Sequence, residues 1–331
     1  MRTQMLGQSN LAVTPLGLGL AALGRPGYIN LGHAQDLAAN YAPAAMEAHA
    51  HAVLDAAWAA GIRYFDAARS YGRAEAFLAS WLAARQIAPE GVTVGSKWGY
   101  TYTAGWQVTA AQHEVKAHTL PVLQRQAAES QALLGPYLKL YQIHSATPDS
   151  GVLRNERVLG ELARLRNAGW LIGLSLSGAN QVATLAQALE VRFDGVRLFG
   201  VVQATWNLLE CSAGAALEAA HEAGLGVIVK EALANGRLTD RNDDPAFATR
   251  RALLARLAAE RQTTIDGLAL AAVLAQPWVD VVLSGAATVA HLQSNVAALA
   301  VGWDEAAVAE TAALVETPAG YWQARAAMAW N

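Results

Sequence analysis

A repeated alternation constrains this chain more than any other feature. Short apolar runs fall at 15–20, 62–65, 92–96, 138–143, 171–175, 196–202, 225–229 and 279–283. Their density of Val, Ile and Leu suits strands buried on both faces. Between them lie alanine-rich segments of helical period, at 49–60, 74–84, 120–134, 155–168, 180–190, 213–223 and 250–276. Three of these end in Ala-Gly just before the next run: Ala60-Gly61, Ala168-Gly169 and Ala223-Gly224. Glycine there closes a helix and turns the chain back into the sheet. The pattern predicts an α/β fold, a (β/α)8 TIM barrel. A doubly wound parallel sheet is its structural competitor. No shift of composition marks a boundary, so we expect one domain over residues 1–331, with long connections at about 25–46 and 100–118. Both connections follow strands at the end where a barrel carries its site, and long loops there commonly serve as lids or binding loops.

Composition narrows the function. The net charge of −3 argues against a nucleic-acid or polyanion partner. Cys211 is the one cysteine, which excludes an intrachain disulfide and suits a reducing compartment. No apolar run reaches the roughly 18 residues of a membrane span, and the N-terminus has no apolar signal core. We expect a cytoplasmic protein.

Reactive side chains collect at the ends of the predicted strands. Asp66 and Tyr71 follow the second run, Lys97 ends the third and His144 follows the fourth. In a parallel barrel such ends converge on one face. An acid, a phenol, an ammonium and an imidazole suit a reaction that protonates a carbonyl oxygen or deprotonates an alcohol. A lysine about 4 Å from a phenol, at an effective dielectric of about 20, interacts by roughly 4 kcal/mol. Lys97 is therefore expected to lower the Tyr71 phenol by up to about three pKa units, while Asp66 holds the lysine and takes back part of that effect. Each residue alone has a structural reading, as a cap, an ion pair or packing. The chain has four lysines, however, and two of them, Lys97 and Lys230, end strands. The aromatics Trp98, Tyr100, Tyr102, Trp106 and Trp206 are candidates for a substrate wall.

Other motifs fail. Gly17-Leu18-Gly19 lacks the third glycine of a dinucleotide fingerprint. The histidines of the segment from His113 to His118 are one position too far apart for a zinc helix. Gly173-Leu174-Ser175-Leu176-Ser177 lacks the closing glycine of a nucleophile elbow. No metal site is expected.

The segment FDAARSYGRAE (65–75) resembles the aldo-keto reductase pattern FDTAxxYGxSE. SKWG (96–99) and LYQIH (140–144) are similar to that family's lysine and histidine strands. IGLSLSG, VVQATWNLLE, VIVKEALANGRLT and VLSGAATVAHLQSNVAAL resemble its later cofactor segments, in order. The resemblance covers nearly the whole chain. It implies a barrel that reduces carbonyls, or oxidises alcohols, with a nicotinamide cofactor extended across the C-terminal face. It makes Tyr71 the general acid, tuned by Lys97 and Asp66, with His144 orienting the substrate. For the cofactor it points to Ser175, Gln203, Lys230, Leu233, Asn235, Gly236, Gly285, Ala286, Thr288, His291 and Asn295. Leu176 stands where the family has asparagine, Lys230 where it has an aromatic that stacks on the nicotinamide, and Ala287 where it commonly has arginine. The family's usual preference favours NADP(H), with NAD(H) possible. No lysine or arginine lies between Ser284 and Asn295, so weaker discrimination is expected, with Arg237 as a possible compensating charge. Two rival functions remain at this level. Lys230 could form Schiff bases in a lyase or aldolase, or the chain could be a cofactor-sensing regulatory subunit.

Overall fold

The structure, a computed structural model, describes residues 1–331. Eight strands close a parallel barrel: β1 (Leu16–Gly19), β2 (Tyr64–Asp66), β3 (Thr93–Trp98), β4 (Leu138–Ala146), β5 (Leu171–Leu176), β6 (Val201–Thr205), β7 (Gly226–Lys230) and β8 (Val281–Ser284). Each pairs with its neighbour in sequence, and β8 pairs with β1. The doubly wound competitor is thereby excluded. Outward residues such as Val94, Leu174 and Val229 bury themselves beneath the surrounding helices. Inward residues Tyr64, Leu140, Val201, Ile228 and Val281 form a separate interior cluster with Leu6 and Val13. Those last two belong to a short antiparallel hairpin, Gln4–Met5 with Ala12–Val13, which plugs the N-terminal end of the barrel. The glycines that end two helices are left-handed, with φ of 101° at Gly169 and 92° at Gly224.

Local chemistry overrides the apolar pattern in three places. Residues 196–202 read as one strand, yet Val196–Arg197 turns back on Arg192–Phe193 through Asp194-Gly195, and β6 begins only at Val201. An Asp-Gly pair is a hairpin signal, because both residues accept φ > 0. The predicted helix 250–276 is two helices, Ala248–Glu260 and Ile265–Leu274. Gln262 adopts φ 52°, and the Thr264 hydroxyl accepts from the Gly267 amide to cap the second helix. The two long connections are also partly ordered. One carries a helical turn, His33–Asp36, and the start of the helix Pro43–Ala59; the other folds as an antiparallel hairpin, Tyr100–Tyr102 with Glu114–Lys116.

Candidate active site

At the C-terminal end of the barrel, strand alternation turns Asp66, Lys97, Gln142 and Gln203 toward the axis. The Lys97 ammonium donates to Asp66 Oδ2 and, at 3.0 Å, to the Ala67 carbonyl. Asp66 Oδ1 accepts from the Tyr64 hydroxyl at 3.1 Å, Gln203 Nε2 at 3.0 Å and Gln142 Nε2 at 3.4 Å. Lys97 is fully buried and Asp66 nearly so. A buried charge pair survives only when its remaining lone pairs are satisfied, and here four side chains converge on one carboxylate.

Tyr71 lies over this floor. The Lys97 ammonium is 5.0 Å from the centre of its ring, and the His144 ring meets it edge-on at 5.5 Å. Two glycines permit the turn that presents it. A Cβ on Gly24 would lie 2.2 Å from the Tyr71 carbonyl oxygen, and one on Gly72 would lie 2.4 Å from that of Gly24. The following residue, Arg25, is buried; it donates to the Ser70 carbonyl and to Glu114 Oε2, both at 3.0 Å. Its guanidinium lies 5.3 Å from the Tyr71 ring, 5.1 Å from Tyr28 and 4.7 Å from Trp330.

The expected lowering of the phenol does not occur in this arrangement. Burial, followed by the Asp66 carboxylate, pushes Tyr71 above its usual range, with Arg25 opposing. Burial first, and the carboxylates of Asp66, Glu114 and Glu231 with it, keep the phenol protonated. Burial, then the charges of Lys97, Arg25 and Lys230, drives His144 well below its usual value, so its imidazole is neutral. Its Nδ1 lies 3.4 Å from the Ser70 hydroxyl.

A cavity of about 590 Å³ starts at Tyr71 and His144 and runs across the barrel mouth to His291 and Asn295. Gln203, Lys230, Leu233, Asn235, Gly236, Gly285 and Ala286 line it between those ends. Lys230 donates to Thr205 Oγ1 at 2.7 Å and lies 3.7 Å from Glu231. Burial brings its pKa down to about 8, with Glu231 opposing. The segment Ile29–Leu31 bridges this middle stretch: Asn235 Nδ2 donates to the Ile29 carbonyl at 2.9 Å, and the Leu31 amide donates to the Asn235 carbonyl at 3.1 Å.

Several expected residues lie elsewhere. Ser175 is buried off the cavity, its hydroxyl accepting from the Ser145 amide at 2.8 Å; Ser177 lines the wall instead. Thr288 caps the helix Val289–Ala297, and Ala287 is buried, so neither faces the cavity. Arg237 is held by Glu316 at 2.6 Å. Of the proposed substrate wall, only Tyr100 lines the cavity. Trp98 is buried against His118, Trp106 packs on Phe77 and donates to the Tyr41 carbonyl, and Trp206 packs on Trp278. Tyr102 is half-buried in the hairpin and also absent from the lining. Sequence reading missed Arg25, Tyr28, Glu114, Glu231, Arg325 and Trp330, all at the Tyr71 end. The approach of 321–331 to this end has no sequence signal beyond its tryptophans, which suit wall packing equally well.

The model of the aldo/keto reductase family matches residues 15–316. The chain belongs to the aldo/keto reductase family. It is an oxidoreductase, and members of this family typically use NAD(P)H on small carbonyl compounds. Pyridoxal 4-dehydrogenase of Microbacterium luteolum is 31% identical to this reductase over 215 residues, 56% of this chain and 57% of that protein. The match thus spans little more than half of that relative's length. Aldo-keto reductase str7 of Strobilurus tenacellus is 25% identical over 340 residues, 95% of this chain and 92% of that one. The holo form of aldo-keto reductase AKR11C1 from Bacillus halodurans matches with a TM-score of 0.72 at 20% identity, over 96% of this chain and 97% of that one, a likeness of fold. No helix of the reductase is long and apolar enough to cross a membrane.

Proposed function

We propose that this reductase transfers hydride between NAD(P)(H) and a small polar carbonyl or alcohol, with Tyr71 as the proton donor and acceptor. One observation carries the reading: a protonated phenol and a neutral imidazole meet over a buried Lys97–Asp66 pair, at one end of a long cavity. The cavity suits an extended dinucleotide. A Cβ on Gly285 would meet nothing within 4 Å, so the backbone there is open to a ligand. The side-chain oxygen of Asn235 is buried without a partner, an acceptor available to a ligand donor. Gln203, Lys230, Leu233, Asn235, Gly236, Gly285, Ala286 and Asn295 would hold the cofactor, which supplies or accepts the hydride when bound.

The rest of the chemistry belongs to the chain. His144 donates a hydrogen bond to the substrate oxygen and places it against the phenol. Tyr71 gives its proton to that oxygen during reduction and takes one during oxidation. Lys97 limits the charge left on the phenolate. Tyr28, Tyr100 and Trp330 present aromatic faces, and Glu114 presents a carboxylate held by Arg25, which suits a hydroxylated substrate. Lys230 is engaged by Thr205 and Glu231 among the residues assigned to the cofactor, which works against a Schiff-base role. The test is a panel of aldehydes, ketones, sugars and pyridoxal with each cofactor, followed by dihydronicotinamide absorbance. Turnover that depends on Tyr71 supports the reading. Cofactor binding without turnover across the panel would refute it.

A further inference from the structure

The far end of the cavity is electrostatically unlike the Tyr71 end. Arg241, His291, Asp240, Asp266 and Ser294 line it. Arg241 carries the one permanent positive charge among them, and that charge is committed. Its two terminal nitrogens grip both oxygens of Asp36, at 2.9 and 2.5 Å. The same guanidinium donates to the carbonyls of Leu31 at 3.3 Å and Gly32 at 3.2 Å, and to His291 Nε2 at 3.1 Å. Asp36 ends the helical turn His33–Asp36 that follows the bridging segment, and its side chain is only 2% exposed. Donation to Nε2 requires a lone pair on that nitrogen, so His291 is neutral; burial lowers its pKa in the same direction. Asp266 accepts from the Ser294 hydroxyl at 2.7 Å, and Asp240 is exposed at the rim.

Three carboxylates therefore stand against one guanidinium. A dinucleotide with its hydride-bearing ring at Tyr71 places its second ribose at this end. There the two nicotinamide cofactors differ by a single group, a 2′-phosphate of about two negative charges or a hydroxyl. A hydroxyl can donate to a carboxylate, whereas a phosphate is repelled by one and needs a free cation.

We infer that this end selects the unphosphorylated cofactor, NAD(H), and that Asp36 enforces the choice by occupying Arg241. Asp36 is a positioning residue, acting through Arg241 rather than on the nucleotide. The inference rests on the cofactor reading above and overrides the family's usual leaning to NADP(H).

Equilibrium dissociation constants of the full chain for NADH and NADPH, by calorimetry, test it. Wild type should bind NADH at least as tightly as NADPH. Asp36→Asn keeps the shape, removes the charge and frees the guanidinium, so NADPH should gain on NADH by about 10- to 100-fold, the worth of one charge-assisted phosphate contact. Adding Arg241→Met to Asp36→Asn should abolish that gain, because the freed guanidinium is then gone. A loosened bridge alone would weaken both nucleotides alike, so an unchanged ratio in Asp36→Asn overturns the inference. Wild type that prefers NADPH ten-fold or more overturns it without any variant. Absence of binding by either nucleotide would overturn the cofactor reading, and this inference with it.

Discussion

Tyr71 starts as a weak acid, and its surroundings make it weaker still. That property is useful in one direction. A phenol held above its usual range is fully protonated at neutral and moderately alkaline pH, so carbonyl reduction always finds its proton in place. Tyr71→Phe should lower kcat/KM for reduction by about 10²- to 10⁴-fold, with cofactor affinity nearly unchanged; near-wild-type turnover would remove Tyr71 from its role. The pH profile should report a different group. The pKa of Lys230 is about 8, below that of a free lysine, so it loses its charge as pH rises through that value. A cation lining this cavity stabilises negative charge developing on the substrate oxygen. Reductive kcat/KM should therefore fall through about pH 8 in wild type and lose that step in Lys230→Met. The same step in both proteins would assign it elsewhere.

At the scale of elements, legibility followed local signals. The eight strands and the residues at their ends were readable because strand ends in a parallel barrel share one face, so Asp66, Lys97 and His144 needed only their positions in sequence. The turns that split 196–202 and 250–276 were also written locally, in Asp194-Gly195 and Thr264, beneath a stronger apolar pattern. The roof of the site was not legible, because it depends on contacts between segments far apart in sequence. Asn331 donates to the Asn30 carbonyl at 2.9 Å and accepts from the His33 amide at 2.9 Å. Trp330 stacks on His113 of the hairpin connection, with ring centres 4.0 Å apart and planes 6° from parallel. The segment 328–331 thus joins both long connections over the Tyr71 end. Trp330→Ala should change the ranking of substrates by kcat/KM more than it changes cofactor affinity. A ranking preserved across the panel would mean that Trp330 packs without touching substrate.

Across the whole molecule, one buried ion pair ties the barrel to its C-terminal helix. Glu231 follows β7 in a left-handed conformation, φ 57°, and Arg325 comes from the helix Pro318–Ala326. The guanidinium Nε lies 2.9 Å from both carboxylate oxygens. Burial alone would raise the Glu231 pKa, but Arg325 first and Lys230 next bring it down from 4.5 to about 2. A lowered carboxyl stabilises the fold above its unfolded pKa and loses that contribution as pH falls through the folded one. The difference corresponds to roughly 3 kcal/mol. Glu231→Gln leaves Arg325 buried beside a neutral partner, so it should destabilise the protein by about 3–5 kcal/mol at pH 7. Acid titrates the same charge, so the gap between wild type and variant should narrow as pH falls from 4.5 toward 2. Denaturant midpoints of both proteins at a series of pH values measure the gap. If it stays constant down to the acid limit of folding, the glutamate contributes by shape alone, and the C-terminal helix is held by its packing rather than by this charge.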